Sequence, residues 1–269
     1  MSRERAPGAA ASLRLRSLNS SLDVLEALSE AGPNVGVSEL SRTLGLSKAT
    51  VHVILTNLCA RGYVVKDPAT ARYGLGLKAW EVGTVAIGSL ELPAIARPQL
   101  QALADRTGET SHLAVYARGE ALYLDKVASL NPVQAYTRIG GRAPAHCVAT
   151  GKALLAHQSP AEIDRLCGLG LHQFTPLTIT TASRLRDELE AIRSTGVAIN
   201  RGEWRQEVVG VAAVIRDHRG EVIAAVGLSG PSYRFSVERA LALGPDVRMA
   251  ADTVSSGLGH GRVKHAAAV

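Results

Sequence analysis

Aromatic side chains are scarce, at 4% of 269 residues, so any core must be built from Leu, Val, Ile and Ala. Cysteines are few as well. Cys59, Cys147 and Cys167 form an odd set with no CxxC pair. That pattern argues against a disulfide framework and for a reducing, cytoplasmic setting. No run approaches the ~20 apolar residues of a membrane-spanning helix. The small-residue stretch 6–12 is too short and too weakly apolar for a signal peptide. What remains is a globular composition, 46% hydrophobic and 20% charged. At roughly 100–200 residues per domain, the length fits one large domain or two smaller ones. Either can bury a core without disulfides or metals.

The net charge is +6, and its distribution says more than its size. Residues 1–78 carry ten basic and six acidic side chains; the remaining 191 carry 20 and 18. The excess therefore sits in the first third. It fits a polyanionic partner, and it also fits a plain solvated basic face.

The order of elements in that third favours the first reading. Leu22, Val24, Leu25 and Leu28 mark an amphipathic helix over 20–31, ended by Gly32-Pro33. A second helix covers 37–44, capped by Gly36 or Ser38, and Gly45 supplies the tight turn after it. Ser47 is a good cap for a third helix over 48–60. Its Val51, Ile54, Leu55 and Leu58 follow the helical repeat and pack inward. The opposite face presents Lys48, Ala49, His52, Val53 and Thr56, with Thr50 and Asn57 beside it. A small, polar, acid-free face suits a helix laid in the DNA major groove. Residues 63–75 read as strand, turn, strand: a wing, with Lys66 and Arg72 near its tip for phosphate or the minor groove. The alternative is a helical domain whose hairpin binds protein.

Beyond residue 76 the pattern changes. An apolar stretch over 77–92 reads as a linker helix, and Pro93 and Pro98 bracket the start of another that ends at Thr107. Alternation predicts strands over 111–116, 121–127 and 133–139, then a loop over 140–144. Helices are expected over 150–157, 160–167 and 183–195, strands over 208–216 and 222–228, and one last helix over 236–256. This is an α+β architecture with an antiparallel sheet.

Enzyme motifs fail on inspection. Gly151-Lys152 lacks the Gly and Ser/Thr of a phosphate loop, since His146 and Ala153 stand there; Lys152 reads as structural or surface. Gly227-Leu-Ser-Gly-Pro231 lacks the last Gly of a nucleophile elbow. His146-Cys147 with a distant Cys167 has no zinc-site spacing, and a buried Cys beside a hydrogen-bonded His is the simpler reading. Trp204 reads as a surface loop, a dimer contact or a lid. No cofactor or metal is expected. The competing reading is an enzyme or metabolite-binding module whose first helices only dimerise.

Several separated motifs resemble the IclR family of bacterial transcription regulators. They are residues 17–28 (SLNSSLDVLEAL), 37–52 (VSELSRTLGLSKATVH), 67–76, 140–156 (GGRAPAHCVATGKALLA), 174–180 and 224–231. The resemblance covers about 17–258. It implies a flexible tail at 1–16, a winged helix-turn-helix over 17–76, a linker helix over 77–92, a GAF-like effector domain over 93–258, and a second tail at 259–269. It implies a repressor of a catabolic or metabolic operon. Its partners would be a double-stranded DNA operator, a small organic or aromatic acid, and further copies in a homodimer or homotetramer, with no membrane. The DNA contacts would come from Ser47, Lys48, Ala49, Thr50, His52, Val53, Thr56, Lys66 and Arg72. Val53 stands where the family usually has Arg, and Ala71 where its wing has Gly. The effector pocket would be lined by Ala143, Ala149 and Thr150, by Asn200, Val208 and Gly210, and by Gly227 and Ser229. A carboxylate would meet Thr150 at its helix start. Family members often have Asp, Cys and Ser where this chain has Asn200, Gly210 and Gly227. The two glycines suggest more room, and so an anion bulkier than a two- or three-carbon acid.

Overall fold

The computed structural model describes residues 16–88, 92–135 and 137–261. Of the expected tail at 1–16, residues 1–15 lie outside them, as does the end of the second, 262–269. The chain divides into two compact units, the second starting at Glu91.

The first unit holds α1 (Arg16–Ala31), α2 (Val37–Leu44), α3 (Lys48–Ala60), β1 (Val64–Lys66), β2 (Tyr73–Leu75) and α4 (Leu77–Gly88). Helix α1 starts four residues earlier than its apolar pattern, at Arg16. Val24, Leu28, Leu40, Val51, Leu55 and Tyr73 form the core. Gly45 sits at φ +64° and its N–H closes on the Ser41 carbonyl, a backbone state that favours glycine. The Ser47 hydroxyl caps α3 by accepting from the Thr50 N–H at 3.1 Å. β1 and β2 pair antiparallel, and Val35 adds a bridge to Tyr73 that the sequence pattern did not announce. Ala71 takes φ +55° in the wing turn, where a side chain costs about 1–2 kcal/mol.

The second unit runs α5 (Leu92–Thr107), β3 (Thr110–Ala117), β4 (Glu120–Val127), β5 (Arg142–Pro144), α6 (Ala149–Leu155), α7 (Pro160–Gly168), α8 (Ala182–Thr195), β6 (Ala198–Arg201), β7 (Val208–Arg216), β8 (Val222–Pro231), α9 (Val237–Ala242) and α10 (Gly244–Gly257). The strands form one antiparallel sheet in the order β5-β4-β3-β8-β7-β6. One face packs on α5, α9 and α10 through Leu113, Val211, Ile215, Val226 and Leu228. The other packs on α6 through Ala114, Ala121, Ala212 and Ala225, with α7 and α8 outside.

Four expectations are corrected. Residues 133–139 form no strand among the described ones, because 142–144 takes the β4 edge instead; the expected loop is thus β5. β6 is an extra strand. Pro98 lies inside α5. The last helix is two, because Pro245 cannot continue α9 but fits the first turn of a new helix. The β6 edge forms the floor of a cleft of about 690 Å³ walled by α8 and α10.

Candidate functional site

Helix α3 folds as its periodicity requires. Val51, Ile54 and Leu55 are buried, while Ser47, Lys48, Ala49, Thr50, His52, Val53 and Thr56 are exposed. Thr56 donates to the His52 carbonyl at 2.8 Å, and Asn57 to that of Val53, which leaves the face flat and small. The Lys48 and His52 side chains make no hydrogen bond or ion pair among the described residues. The face continues into a groove beside Arg16, Ser17, Ser20 and Ser21 of α1. Only Arg16 falls in the expected tail; the three serines lie in the expected first domain, and nothing in their spacing points to this groove.

The wing cations divide. Lys66 is exposed, its ammonium 5.7 Å from the Tyr73 ring centroid. Arg72 is committed elsewhere: it donates to the Asn34 carbonyl and, at 2.9 Å, to Glu39. It braces the wing against α2 instead of reaching outward. Asp67 accepts from the Ala69 N–H and the Thr70 hydroxyl, which hold its carboxyl below the usual range.

The second site lies on the α6 face of the sheet. Adjacent strands carry Ser229, Gly210 and Asn200 in one ladder row, and the next row pairs His112 with Gly227. Ala149 and Thr150 of α6 lie over these rows. A cavity of about 30 Å³ remains between them. Of the residues expected there, Ala149, Thr150, Asn200, Val208, Gly210 and Ser229 line it. Ala143 is buried but pairs with Ala121 away from the lining. Gly227 does not open space: a Cβ there would stand 2.8 Å from Thr150 Cγ2 and 3.0 Å from His112 Nε2. His112 and Thr150 have taken the room that the missing side chain was expected to leave.

The polar atoms of this cavity are not all paired. His112 Nδ1, Thr150 Oγ1 and Ser229 Oγ are buried without hydrogen-bond partners among the described residues. Burial pushes the His112 imidazole down to about 4, so it is neutral at physiological pH. Its ring stands edge-on to Tyr123 at 5.1 Å. Burial raises the Tyr123 phenol; the Thr150 hydroxyl draws it slightly back but lacks full hydrogen-bond geometry.

Behind the cavity sits a buried charge cluster. Lys152 is wholly buried, not at the surface, and donates to Glu203 at 2.6 Å and Glu188 at 2.7 Å. Burial pushes the Glu188 carboxyl up, but Lys152 and Arg201 outweigh it and hold it low. Glu203 also accepts from the Arg201 N–H, and its own N–H donates to Asn200 Oδ1 at 3.0 Å. Thr175 and Thr178 donate to the Gly202 and Glu203 carbonyls. The loop bearing Trp204 and Arg205 is therefore pinned at its root. Trp204 lines the cavity, half-buried, with the Arg205 guanidinium 5.0 Å from its ring. His112, Tyr123, Thr137 and Arg205 escaped sequence reasoning; the only available signal was the polar His112 on an inward strand position. Nearby, His146 meets the His172 carbonyl at 3.1 Å. Burial pushes the Cys147 thiol up to about 12, with Glu203 adding and Lys152 opposing.

Comparison with known proteins agrees with both halves. Residues 17–68 match the family model described as "IclR helix-turn-helix domain". Residues 84–256 match "Bacterial transcriptional regulator IclR C-terminal". The chain is 34% identical over 216 residues to the HTH-type transcriptional regulator XynR of Escherichia coli K12, covering 80% of this chain and 86% of that one. It is 31% identical over 249 residues to the transcriptional repressor IclR of the same strain, covering 91% of each. Among solved structures, an IclR homologue from Microbacterium hydrocarbonoxydans complexed with 4-hydroxybenzoate superposes with a TM-score of 0.81 at 26% identity, covering 90% of this chain and 98% of that one.

Proposed function

The chain belongs to the IclR family of bacterial transcriptional regulators, DNA-binding proteins and not enzymes, and from that premise we propose that it is a ligand-released repressor. Its α3 face would read operator bases in the major groove, with Lys48 and Lys66 on phosphate. Two copies, alone or paired into a tetramer, would set two such helices about 34 Å apart on a near-palindrome. The effector is a small organic acid held in the cavity between α6 and the sheet. The observation that carries this reading is the pairing of a bare, cation-bearing α3 face with a cavity that holds three unpartnered polar atoms. The Microbacterium relative with 4-hydroxybenzoate supports an acid as effector, and the E. coli relative named a repressor supports the sign. Effector binding shifts the DNA-competent population only through its differential affinity, typically about 1–3 kcal/mol.

The test is selection of bound fragments from a genomic library at about 0.15 M salt, where loose electrostatic binding is suppressed. Enrichment of one near-palindrome is expected, with release when a metabolite extract is added. Lys48→Ala should weaken operator binding and lower the salt slope by about one. Failure to enrich any sequence, with or without extract, would sink the proposal.

A further inference from the structure

The helix-turn-helix and its wing are nearly neutral. Residues 17–78 hold six basic side chains against five acidic ones. Two of the six are committed within the protein: Arg72 to Glu39 and the Asn34 carbonyl, and Lys78 to Glu81. Helix α3 carries one lysine, Lys48, and no arginine; the free cation of the wing is Lys66. Two cations are a weak source of counterion release, the term that supplies essentially all of nonspecific DNA affinity. The excess charge of this unit sits instead at and just ahead of the start of α1. Residues 1–16 hold Arg3, Arg5, Arg14 and Arg16 against the single acid Glu4.

The fold brings that start to the DNA-reading face. The acids of α1, Asp23, Glu26 and Glu30, all lie in its second half, and its first turn has none. Arg16, Ser17, Ser20 and Ser21 border a groove of about 590 Å³ together with Ala49, Thr50, Val53 and Asn57 of α3. Ala49 and Val53 belong to the face turned toward DNA. The Arg16 and Ser17 side chains are exposed and make no hydrogen bond or ion pair among the described residues. We propose that the start of α1 is a second DNA contact, in which Arg16 and Ser17 hold a backbone phosphate beside the α3 site and Arg3, Arg5 and Arg14 add further phosphates along the duplex. This rests on the reading of α3 as the helix in the major groove. Arg3 precedes Arg16 by thirteen residues, a reach of at most about 45 Å. A duplex offers one phosphate charge per about 1.7 Å of its axis, so all four arginines have backbone within reach. Contacts of this kind add affinity and fix position without reading sequence.

The experiment is fluorescence anisotropy of the full chain with two labelled duplexes of unrelated sequence, each about 40 base pairs, between about 50 and 200 mM salt. Replacing Arg3, Arg5 and Arg14 together by Gln should flatten the slope of log affinity against log salt by about 2.7, so the unsubstituted chain loses about 40-fold more affinity across that range than the variant. Arg16→Gln alone should flatten it by about 0.9. The change should be equal on both duplexes, because phosphate carries no sequence. Ser17→Glu puts an acid in the first turn of α1, where it favours the helix. It should weaken binding about threefold to tenfold at the lowest salt without lowering the thermal midpoint. An unchanged salt slope in the triple variant overturns the inference and leaves the DNA-binding reading intact. If sedimentation then shows weakened self-association, the groove seats a second copy of the chain. A loss confined to one duplex also overturns it, in favour of base reading. Binding of neither duplex by the unsubstituted chain at about 50 mM salt overturns the reading of α3 and the inference together.

Discussion

The same strands build two unlike faces. Along β7, Val209, Val211 and Ile215 enter one face, while Gly210 and Ala212 enter the other. Along β8, Ala224, Val226 and Leu228 alternate with Ala225, Gly227 and Ser229. Both faces are dry, so the difference is one of size and polarity, not of exposure. The large residues interlock with α5, α9 and α10, each buried Leu, Val or Ile contributing about 1.5–3 kcal/mol. The small ones let α6 approach closely, and they leave a cavity with unpaired polar atoms. The sheet's large apolar residues are concentrated on one side, and the proposed recognition on the other.

That division would break most visibly at Lys152, which lies on the small-residue side but is expected to matter greatly to folding. Lys152→Met leaves the buried Glu203 without its cation and Glu188 with Arg201 alone, and should cost about 3–5 kcal/mol in urea unfolding. On the large-residue side, Leu113→Ala should cost about 2–5 kcal/mol. Operator affinity per folded molecule should be unchanged, and a specific loss of affinity would blur the division.

Acid sharpens it from the other direction. His112 has its folded pKa depressed to about 4 from 6.5, so the unfolded chain binds its proton first. Its contribution is complete above about pH 6.5, falls as pH drops below that, and levels off below about pH 4; the full loss is about 3 kcal/mol. His146 and His157, also lowered by burial, act in the same direction. His112→Asn should flatten the stability profile across that window, and an unchanged profile would refute the assignment. The smallest change in stability is expected for Thr150→Val. It removes an unpaired hydroxyl, so stability should move by less than about 1 kcal/mol in either direction. Release of operator by effector should nevertheless be lost.

Legibility followed the range of the interactions. The cap at Ser47, the inward stripe of α3 and the bounds of β7 are local, and the sequence pattern predicts each correctly. The segment 133–139 alternates equally well, yet Val133 and Ile139 are 58% and 53% exposed and the β4 edge is taken by β5. Alternation without a free edge makes no strand. β6, at four residues, is too short to show a period. His112 matters because it stands opposite Gly227 across two strands, and Arg72 because Glu39 reaches it from another helix. Neither pairing has a trace in the spacing of nearby residues. The family resemblance names six residues that line the cavity, Ala149, Thr150, Asn200, Val208, Gly210 and Ser229, but only register shows what fills the space above Gly227.

The recessed β6 edge has a consequence for the life of the protein outside its binding equilibria. An open strand edge invites another strand to add to it, the first step of self-assembly. Here α8 and α10 wall that edge on both sides, so an incoming strand meets helix before it meets backbone. α10 is also the last helix of the described chain. Loosening α10 would uncover the edge and the Val and Leu face behind it, while the cavity lies on the other side of the sheet. The guard against aggregation is therefore a pair of packed helices, and a variant that loosens α10 should self-associate through the β6 edge before its cavity is disturbed.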